Sequence, residues 1–133
     1  RSIFIVGYPG ETEEDHDELL AFVADVGLDW CGFFAFSEET GTHAEGLDGA
    51  VPAPLVAERL RELGELQDAI TASKRDALIG RQVEVLVDEP GWGRTHREAP
   101  EIDGLVEVPA DLPVGEFATL TVTGAAGPDL EAA

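Results

Sequence analysis

The sequence predicts an α/β segment followed by an all-β module. Residues 1–79 alternate apolar runs with helical patterns in the order strand, helix, strand, helix, which is typical of a right-handed parallel unit. Residues 80–133 hold short strand candidates separated by Gly and Pro turns, which favours a small antiparallel β-barrel. This change of pattern predicts a domain boundary near Gly80.

The first strand and helix are predicted from local signals. Four consecutive apolar residues, Ile3 to Val6, suit a strand over residues 3–7 that is buried on both faces. The glycines of the following turn, Gly7–Gly10, allow backbone to approach a ligand. Thr12 is a good helix N-cap, with Asp15 as the acidic half of a capping box. The buried face of this helix is predicted to contain Leu19, Phe22, Val23 and Val26.

The second strand and helix complete the α/β segment. Trp30 to Phe36 is a second apolar run, and a helix is predicted from Pro54 to about Ile79. Glu11 and the segment Ser37–Thr42 follow adjacent strands at their carboxyl ends, where ligands bind in parallel sheets. They could form the rim of a site for a nucleotide-like ligand. Glu11 could equally serve only the helix dipole.

The all-β module contains four predicted strands and one charged segment. The strands are predicted at Val83–Val87, Trp92–His96, Leu105–Val108 and Phe117–Thr123, and the tail after Val122 is expected to fray. Arg94 and Arg97 precede three acids within ten residues. They could contact phosphate, or they could form ion pairs with those acids in a solvated turn.

Composition limits the classes of function. Twenty-eight acidic residues against eight basic ones give a net charge of −20, which argues against a general nucleic-acid surface. The charge favours either a basic partner or an origin in an acidic proteome. Apolar runs are too short for a membrane span and no signal peptide is visible, so a cytoplasmic location without a membrane partner is expected. The protein is also expected to be a monomer. The chain lacks Met and begins inside a strand, so we expect it to be the end of a longer protein.

Cysteine and histidine usage predicts no metal site in this chain. The single cysteine, Cys31, excludes an internal disulfide and a multi-cysteine site, and its apolar surroundings favour an inert core thiol. The three histidines, His16, His43 and His96, lack a second ligand at metal-site spacing. They are predicted to be exposed.

Several motifs resemble the radical S-adenosylmethionine methylthiotransferases. IVGYPGETEEDHDELLAFV resembles the fifth-strand motif and helix of their catalytic barrel, and FFAFSEETGTHA resembles the sixth strand. RQVEVLVDE resembles the first strand of their TRAM domain. GRTHREAPEIDG and VGEFATLTVTGAAGPDL resemble the branch that acts on a ribosomal protein, the RimO-type aspartate methylthiotransferases.

The resemblance implies a fold and an activity. The fold would be the βαβα end of a partial TIM-like barrel over residues 1–79, followed by an OB-like TRAM domain over residues 80–133. Such enzymes bind S-adenosylmethionine on a [4Fe-4S] cluster held by three cysteines, carry a second cluster, and methylthiolate the β-carbon of an aspartate on a small-subunit ribosomal protein. Neither cysteine set is present here, so this chain alone is expected to bind no cluster and to be inactive.

The resemblance also implies roles for individual residues. Ile5 and Gly7 match positions that line the adenine pocket, and Glu11 matches the acidic residue of the motif, more as a structural than a catalytic group. Phe36 and Ser37 lie at the end of the sixth strand, where backbone contacts adenine. The candidates for partner contact are Arg94, Glu98, Glu101 and Asp103.

Charge distinguishes the branches of this family. The TRAM segment carries three basic and eleven acidic residues, which suits a basic ribosomal protein and makes nucleic acid an unlikely partner. Two alternatives stay open at this point. One is a relative that methylthiolates tRNA, and the other is a non-catalytic TRAM-type binding module.

Overall fold

The computed structural model describes residues 1–133, which form two compact units, Arg1–Ile70 and Thr71–Ala133. Strands and helices follow the predicted order, an α/β segment and then an all-β module. The elements are β1 (Ser2–Val6), α1 (Glu13–Val26), β2 (Cys31–Ala35), α2 (Ala53–Asp76), β3 (Gln82–Glu89), β4 (Trp92–Arg94), β5 (Val106–Glu107), β6 (Phe117–Ala126) and β7 (Asp129–Ala132).

Strands β1 and β2 form a parallel pair whose helix-facing side makes the core of the first unit. Ser2 lies opposite Cys31 and Val6 opposite Ala35. The buried core residues are Val6, Val23 and Leu63. The prediction that β1 is buried on both faces is wrong for this chain, because Ile3 and Ile5 are 54% and 61% exposed. The helices of this unit cover only the opposite face of the pair.

Helix α1 has the predicted cap but buries a narrower face than expected. Thr12 and Asp15 form a complete capping box, and Gly27 ends the helix with a left-handed φ of 57°. Val23 is buried, whereas Phe22 and Val26 are 49% and 45% exposed, which corrects the predicted four-residue face. The ring of Phe22 packs edge-on against Phe4 at 5.9 Å and leaves its outer side in solvent.

The second unit contains a closed five-stranded barrel. Its strands follow the order β3-β4-β5-β7-β6. All neighbours are antiparallel except β5 and β7, which are parallel, so the barrel is mixed and not wholly antiparallel as predicted. Its interior is aliphatic, which agrees with the predicted alternation; the buried residues are Val85, Val106, Val108, Val122, Leu130 and Ala132.

The tail after Val122 is ordered, so the prediction that it frays is wrong. Strand β6 continues to Ala126, and β7 then pairs with both β6 and β5. Leu130 is fully buried and Ala132 almost so. These alternating inward side chains fix β7 in the position that closes the barrel.

Neither helix is long and apolar enough to cross a membrane.

Candidate functional site

The strand-end turn, Gly7–Glu11, connects β1 to α1. Gly7 and Gly10 have φ values of 85° and 89°, a region that side chains with a Cβ rarely adopt. The N–H of Gly7 donates to Oε2 of Glu11 at 2.8 Å, and the N–H of Gly10 donates to the carbonyl of Gly49 at 2.8 Å. The turn is therefore held at Gly7 by the carboxylate of Glu11 and at Gly10 by the loop that precedes α2.

The carboxylate of Glu11 is also bound by a buried arginine of α2. Nη1 of Arg59 donates to Oε1 of Glu11 at 2.7 Å, and Nη2 donates to Glu13. Arg59 is 2% exposed. Burial lowers the pKa of the Arg59 guanidinium, but the hydrogen bonds and charges of Glu13 and Glu11 raise that pKa above its ordinary value. Both oxygens of Glu11 are thus occupied by protein donors.

A strand-end cavity of about 470 Å³ lies beside this turn. Ile5, Phe36 and Ser37 line it, together with Tyr8, whose ring packs edge-on against Phe36 at 5.3 Å. The N–H of Phe36 donates to the carbonyl of Val6 at 2.7 Å, which extends the pairing of the two strands by one residue. Apolar walls with aromatic rings suit a flat heterocycle such as adenine.

Gly7 lines a neighbouring cavity. This helix-side cavity measures about 390 Å³, shares Phe36 with the strand-end cavity, and extends to Val56 and Leu60 of α2. Of the residues predicted to contact a cofactor, Ile5, Phe36 and Ser37 therefore meet in one cavity, whereas Gly7 lines the neighbouring helix-side cavity. Glu11 lines neither cavity.

The barrel loop, residues 95–105, is organised around a buried carboxylate. The N–H and the hydroxyl of Thr95 donate to Oε2 of Glu98 at 2.8 and 2.6 Å. Nη1 of Arg97 donates to Oε1 of Glu98 at 3.1 Å, and both side chains are buried. An ion pair with one of the three acids of this segment is confirmed for Arg97, whereas Arg94 pairs with Asp88 of β3. The turn is not fully solvated, because Arg97 and Glu98 are buried in it.

The second half of the barrel loop has one internal clamp and one exposed acid. The N–H of Ala99 donates to Oδ2 of Asp103 at 2.9 Å. Glu101 is exposed and has a φ of 62°, a left-handed conformation that is unusual for a residue with a side chain. Glu98 and Asp103 therefore shape the loop, whereas Glu101 points its charge at solvent.

An acidic cavity of about 450 Å³ opens next to this loop. Asp88 and Glu89 at the end of β3 line it, together with Glu98 and Glu101 of the barrel loop. Arg94 also lines it and pairs with Asp88 at 3.0 Å. The predicted partner residues Arg94, Glu98 and Glu101 thus share one cavity, and Asp103 supports its rim.

Comparison with known proteins identifies the second unit first. The TRAM domain family matches residues 79–133. Over 132 residues, the chain is 46% identical to a protein of Akkermansia muciniphila described as ribosomal protein uS12 methylthiotransferase RimO, covering 99% of the chain and 29% of the relative. The chain is homologous to the C-terminal portion of RimO.

Two other relatives with this description give similar coverage. Proteins with this description from Opitutus terrae and Moorella thermoacetica are 45% and 47% identical over 124 residues. The chain spans 26% and 29% of their lengths. The region aligned with the Akkermansia protein covers 99% of the chain, so it extends well beyond the TRAM domain and includes the strand-end turn as well as the barrel loop.

An iron–sulfur cluster does not fit the residues of this chain. The chain has one cysteine, Cys31 on β2, and no three His, Cys, Asp or Glu side chains lie close enough to hold a metal ion. Burial raises the pKa of the Cys31 thiol, with a smaller opposite effect from the charges of the N-terminus and Arg1. A thiol in this state is a poor ligand and a poor nucleophile at neutral pH.

Three residues near the site were not predicted from the sequence. His16 was predicted to be exposed, which is wrong: it is 4% exposed, and its Nε2 lies 2.8 Å from Oε2 of Glu62. Tyr8 and Arg59 were not singled out. Tyr8 could have been found from its place beside Gly7 at the strand end. Arg59 pairs with residues of another element, so it has no local signal in the sequence.

Proposed function

We propose that this chain is the C-terminal part of a cytoplasmic enzyme that methylthiolates the β-carbon of an aspartate on ribosomal protein uS12. Residues 1–79 would be the last part of its radical S-adenosylmethionine barrel, and residues 80–133 its TRAM domain. The observation that carries the proposal is the 46% identity to a uS12 methylthiotransferase across 99% of the chain.

In this proposal the strand-end cavity holds the adenine of S-adenosylmethionine. Ile5 and Phe36 would contact the ring, Ser37 and Gly7 would present backbone, and Glu11 would hold the turn. When it is bound to a reduced iron–sulfur cluster, S-adenosylmethionine supplies a radical that removes a hydrogen atom from an unreactive carbon. The cysteines for that cluster would belong to the part of the enzyme that lies upstream of this chain.

The TRAM domain would recognise the basic substrate protein. Arg94 and Glu101 lie on the wall of the acidic cavity and would meet the partner, whereas Glu98 and Asp103 would maintain the shape of the loop. Eleven acidic residues against three basic ones in residues 80–133 support a cationic partner and not a nucleic acid.

The test uses the longer protein that contains this chain. We expect it to add a methylthio group to one aspartate of uS12 in the presence of S-adenosylmethionine, a reductant and added sulfide as the source of sulfur, as measured by mass spectrometry of the digested substrate. A matched reaction with the 133-residue chain alone should leave uS12 unchanged. Methylthiolation of tRNA without any reaction on uS12 would overturn the proposal.

A further inference from the structure

The strand-end turn is joined to α2 by one carboxylate. Oε2 of Glu11 accepts the N–H of Gly7, and Oε1 accepts Nη1 of Arg59. The backbone of Gly7 and the guanidinium of Arg59 are thus linked through a single carboxylate by two charge-assisted hydrogen bonds.

Helix α2 also packs directly against the turn. A Cβ at Gly7 would lie 2.6 Å from Cγ2 of Val56, which is too close for any side chain. Val56 precedes Arg59 by three residues, so both occupy the same face of the helix. The glycine and the ion pair together fix how the turn sits on α2.

Arg59 is suited to this role by its two donor groups. One Nη bonds Glu11 and the other bonds Glu13, so the guanidinium spans the end of the turn and the first turn of α1. A lysine ammonium is a single point charge and lacks this planar fork. Buried ion pairs are weak contributors to stability because desolvation offsets their attraction. Such a pair can instead specify one geometry.

We infer that Arg59 is a positioning residue that holds the strand-end turn, and with it Tyr8, in the conformation that shapes the strand-end cavity. Arg59 lines neither that cavity nor the helix-side cavity, so it acts through Glu11 without touching a ligand. The effect of Arg59 on a bound ligand rests on the function proposed above. The effect of Arg59 on the conformation of the turn does not depend on that function.

The hold on the turn is tested by hydrogen exchange on the 133-residue chain. In Arg59→Met we expect exchange at the amides of Gly7 and Gly10 to accelerate by about tenfold or more, with no change in strand β3 of the barrel. Arg59→Lys should lie between wild type and Arg59→Met. Unchanged exchange in both variants would overturn the inference. If Arg59→Met unfolds the first unit, Arg59→Lys decides alone.

The matched control is Arg61→Met. Arg61 lies on the same helix and pairs with Glu65, but both side chains are more than half exposed. This variant removes the same charge from α2 without touching the turn. Its exchange at Gly7 and Gly10 should equal that of the wild type, and an acceleration as large as in Arg59→Met would show a general charge effect and overturn the inference.

The effect on ligand is measured as the dissociation constant of S-adenosylmethionine in the longer protein that contains this chain. We expect Arg59→Met to raise it by about tenfold or more, with Arg61→Met unchanged. Accelerated exchange with unchanged affinity would overturn the positioning role. If even the unsubstituted protein fails to bind S-adenosylmethionine, the proposed function falls, and the exchange measurement still decides whether Arg59 holds the turn.

Discussion

At the scale of single residues, the capping box of α1 shows how a local hydrogen bond sets a pKa. The N–H of Asp15 donates to Oγ1 of Thr12 at 3.1 Å, and the N–H of Thr12 donates to Oδ2 of Asp15 at 2.8 Å. The hydrogen bond from the Thr12 backbone lowers the pKa of Asp15 below its ordinary value of 3.8, and the hydrogen bond with the Thr12 side chain lowers it further by a smaller amount. The ionised carboxylate is therefore the form that stabilises the helix start.

This pair gives a pH-dependent prediction. A depressed carboxyl pKa stabilises the folded state above pH 3.8, and this contribution disappears as the pH falls through the folded-state pKa. Asp15→Asn should therefore be less stable than wild type at pH 7, and the difference should shrink below pH 3.8. Urea unfolding followed by circular dichroism measures it; a difference independent of pH would contradict the linkage. Thr12→Ala should lose about 0.5–2 kcal/mol at pH 7.

Cys31 is predicted to react slowly. Burial raises its pKa, so less thiolate is present at a given pH than in a free thiol. Alkylation by iodoacetamide at pH 8, followed by mass spectrometry, should be slower in the folded chain than in the same chain in urea. Equal rates in the two conditions would show that the surroundings of Cys31 do not suppress the thiolate.

The residues of the candidate site differ in how far sequence could predict them. Glu11 and Ser37 were predicted because they lie at the carboxyl ends of apolar strands, and that relation is local in the sequence. Arg59 lies 48 residues from Glu11, so its pairing depends on the helix packing and has no local signal. His16 looked exposed between two aspartates, but the helical phase places it on the side of Val23, seven residues later, where Glu62 of α2 meets it.

At the scale of elements, Gly64 is a weak point of α2. It lies inside the helix, and an added Cβ would meet no atom within 4 Å. Glycine in a helix interior costs about 0.8–1.0 kcal/mol relative to alanine. Gly64→Ala should therefore raise the free energy of unfolding by up to about 1 kcal/mol, as measured by urea denaturation monitored at the helix signal. Any loss of stability would mean that the position is less open than the structure indicates.

Gly93 in β4 is the opposite case. A Cβ there would lie 2.7 Å from Cγ1 of Val85 and closer still to the carbonyl oxygen of Leu86, so β3 would have to move away. Overpacking of this kind typically costs about 1–3 kcal/mol. Gly93→Ala should lower the thermal midpoint of the chain, whereas Gly64→Ala, which also adds one methyl group, should not. Equal midpoints for wild type and Gly93→Ala would contradict the close approach.

Strands with a repeating local pattern of apolar residues were predicted from the sequence, whereas the strand whose position depends on pairing with a distant segment was not. Alternation in Val83–Val87 and the apolar run of Ile3–Val6 sufficed for β3 and β1. Strand β7 has only four residues, and its place depends on pairing with β5 across a parallel contact. No local pattern carries that information, since a short Ala-containing segment has weak strand propensity.

At the scale of the whole molecule, the net charge of −20 determines which partners the chain can approach. Such a field attracts cationic proteins and accelerates their association at low salt, and it repels polyphosphates. Screening is effective beyond about 10 Å at 0.1 M salt, so contacts at the surface weaken as salt is added. The acidic cavity of the TRAM domain is one place where this general charge is concentrated on a defined wall.

The contribution of the acidic cavity to partner binding can be separated from that of the general charge by mutation. If the cavity binds the basic partner, the double variant Glu89→Gln and Glu101→Gln should raise the dissociation constant for uS12 several-fold and weaken its dependence on salt. Glu84 and Glu116 are exposed acids of the same domain that do not line the cavity, so Glu84→Gln with Glu116→Gln removes equal charge elsewhere. The dissociation constant and its salt dependence are measured by fluorescence anisotropy of labelled uS12 at about 50 and about 200 mM salt. Counterion effects change affinity over this range. An equal loss of affinity in the two double variants would mean that the charge acts as a diffuse field and that the cavity is not a binding site.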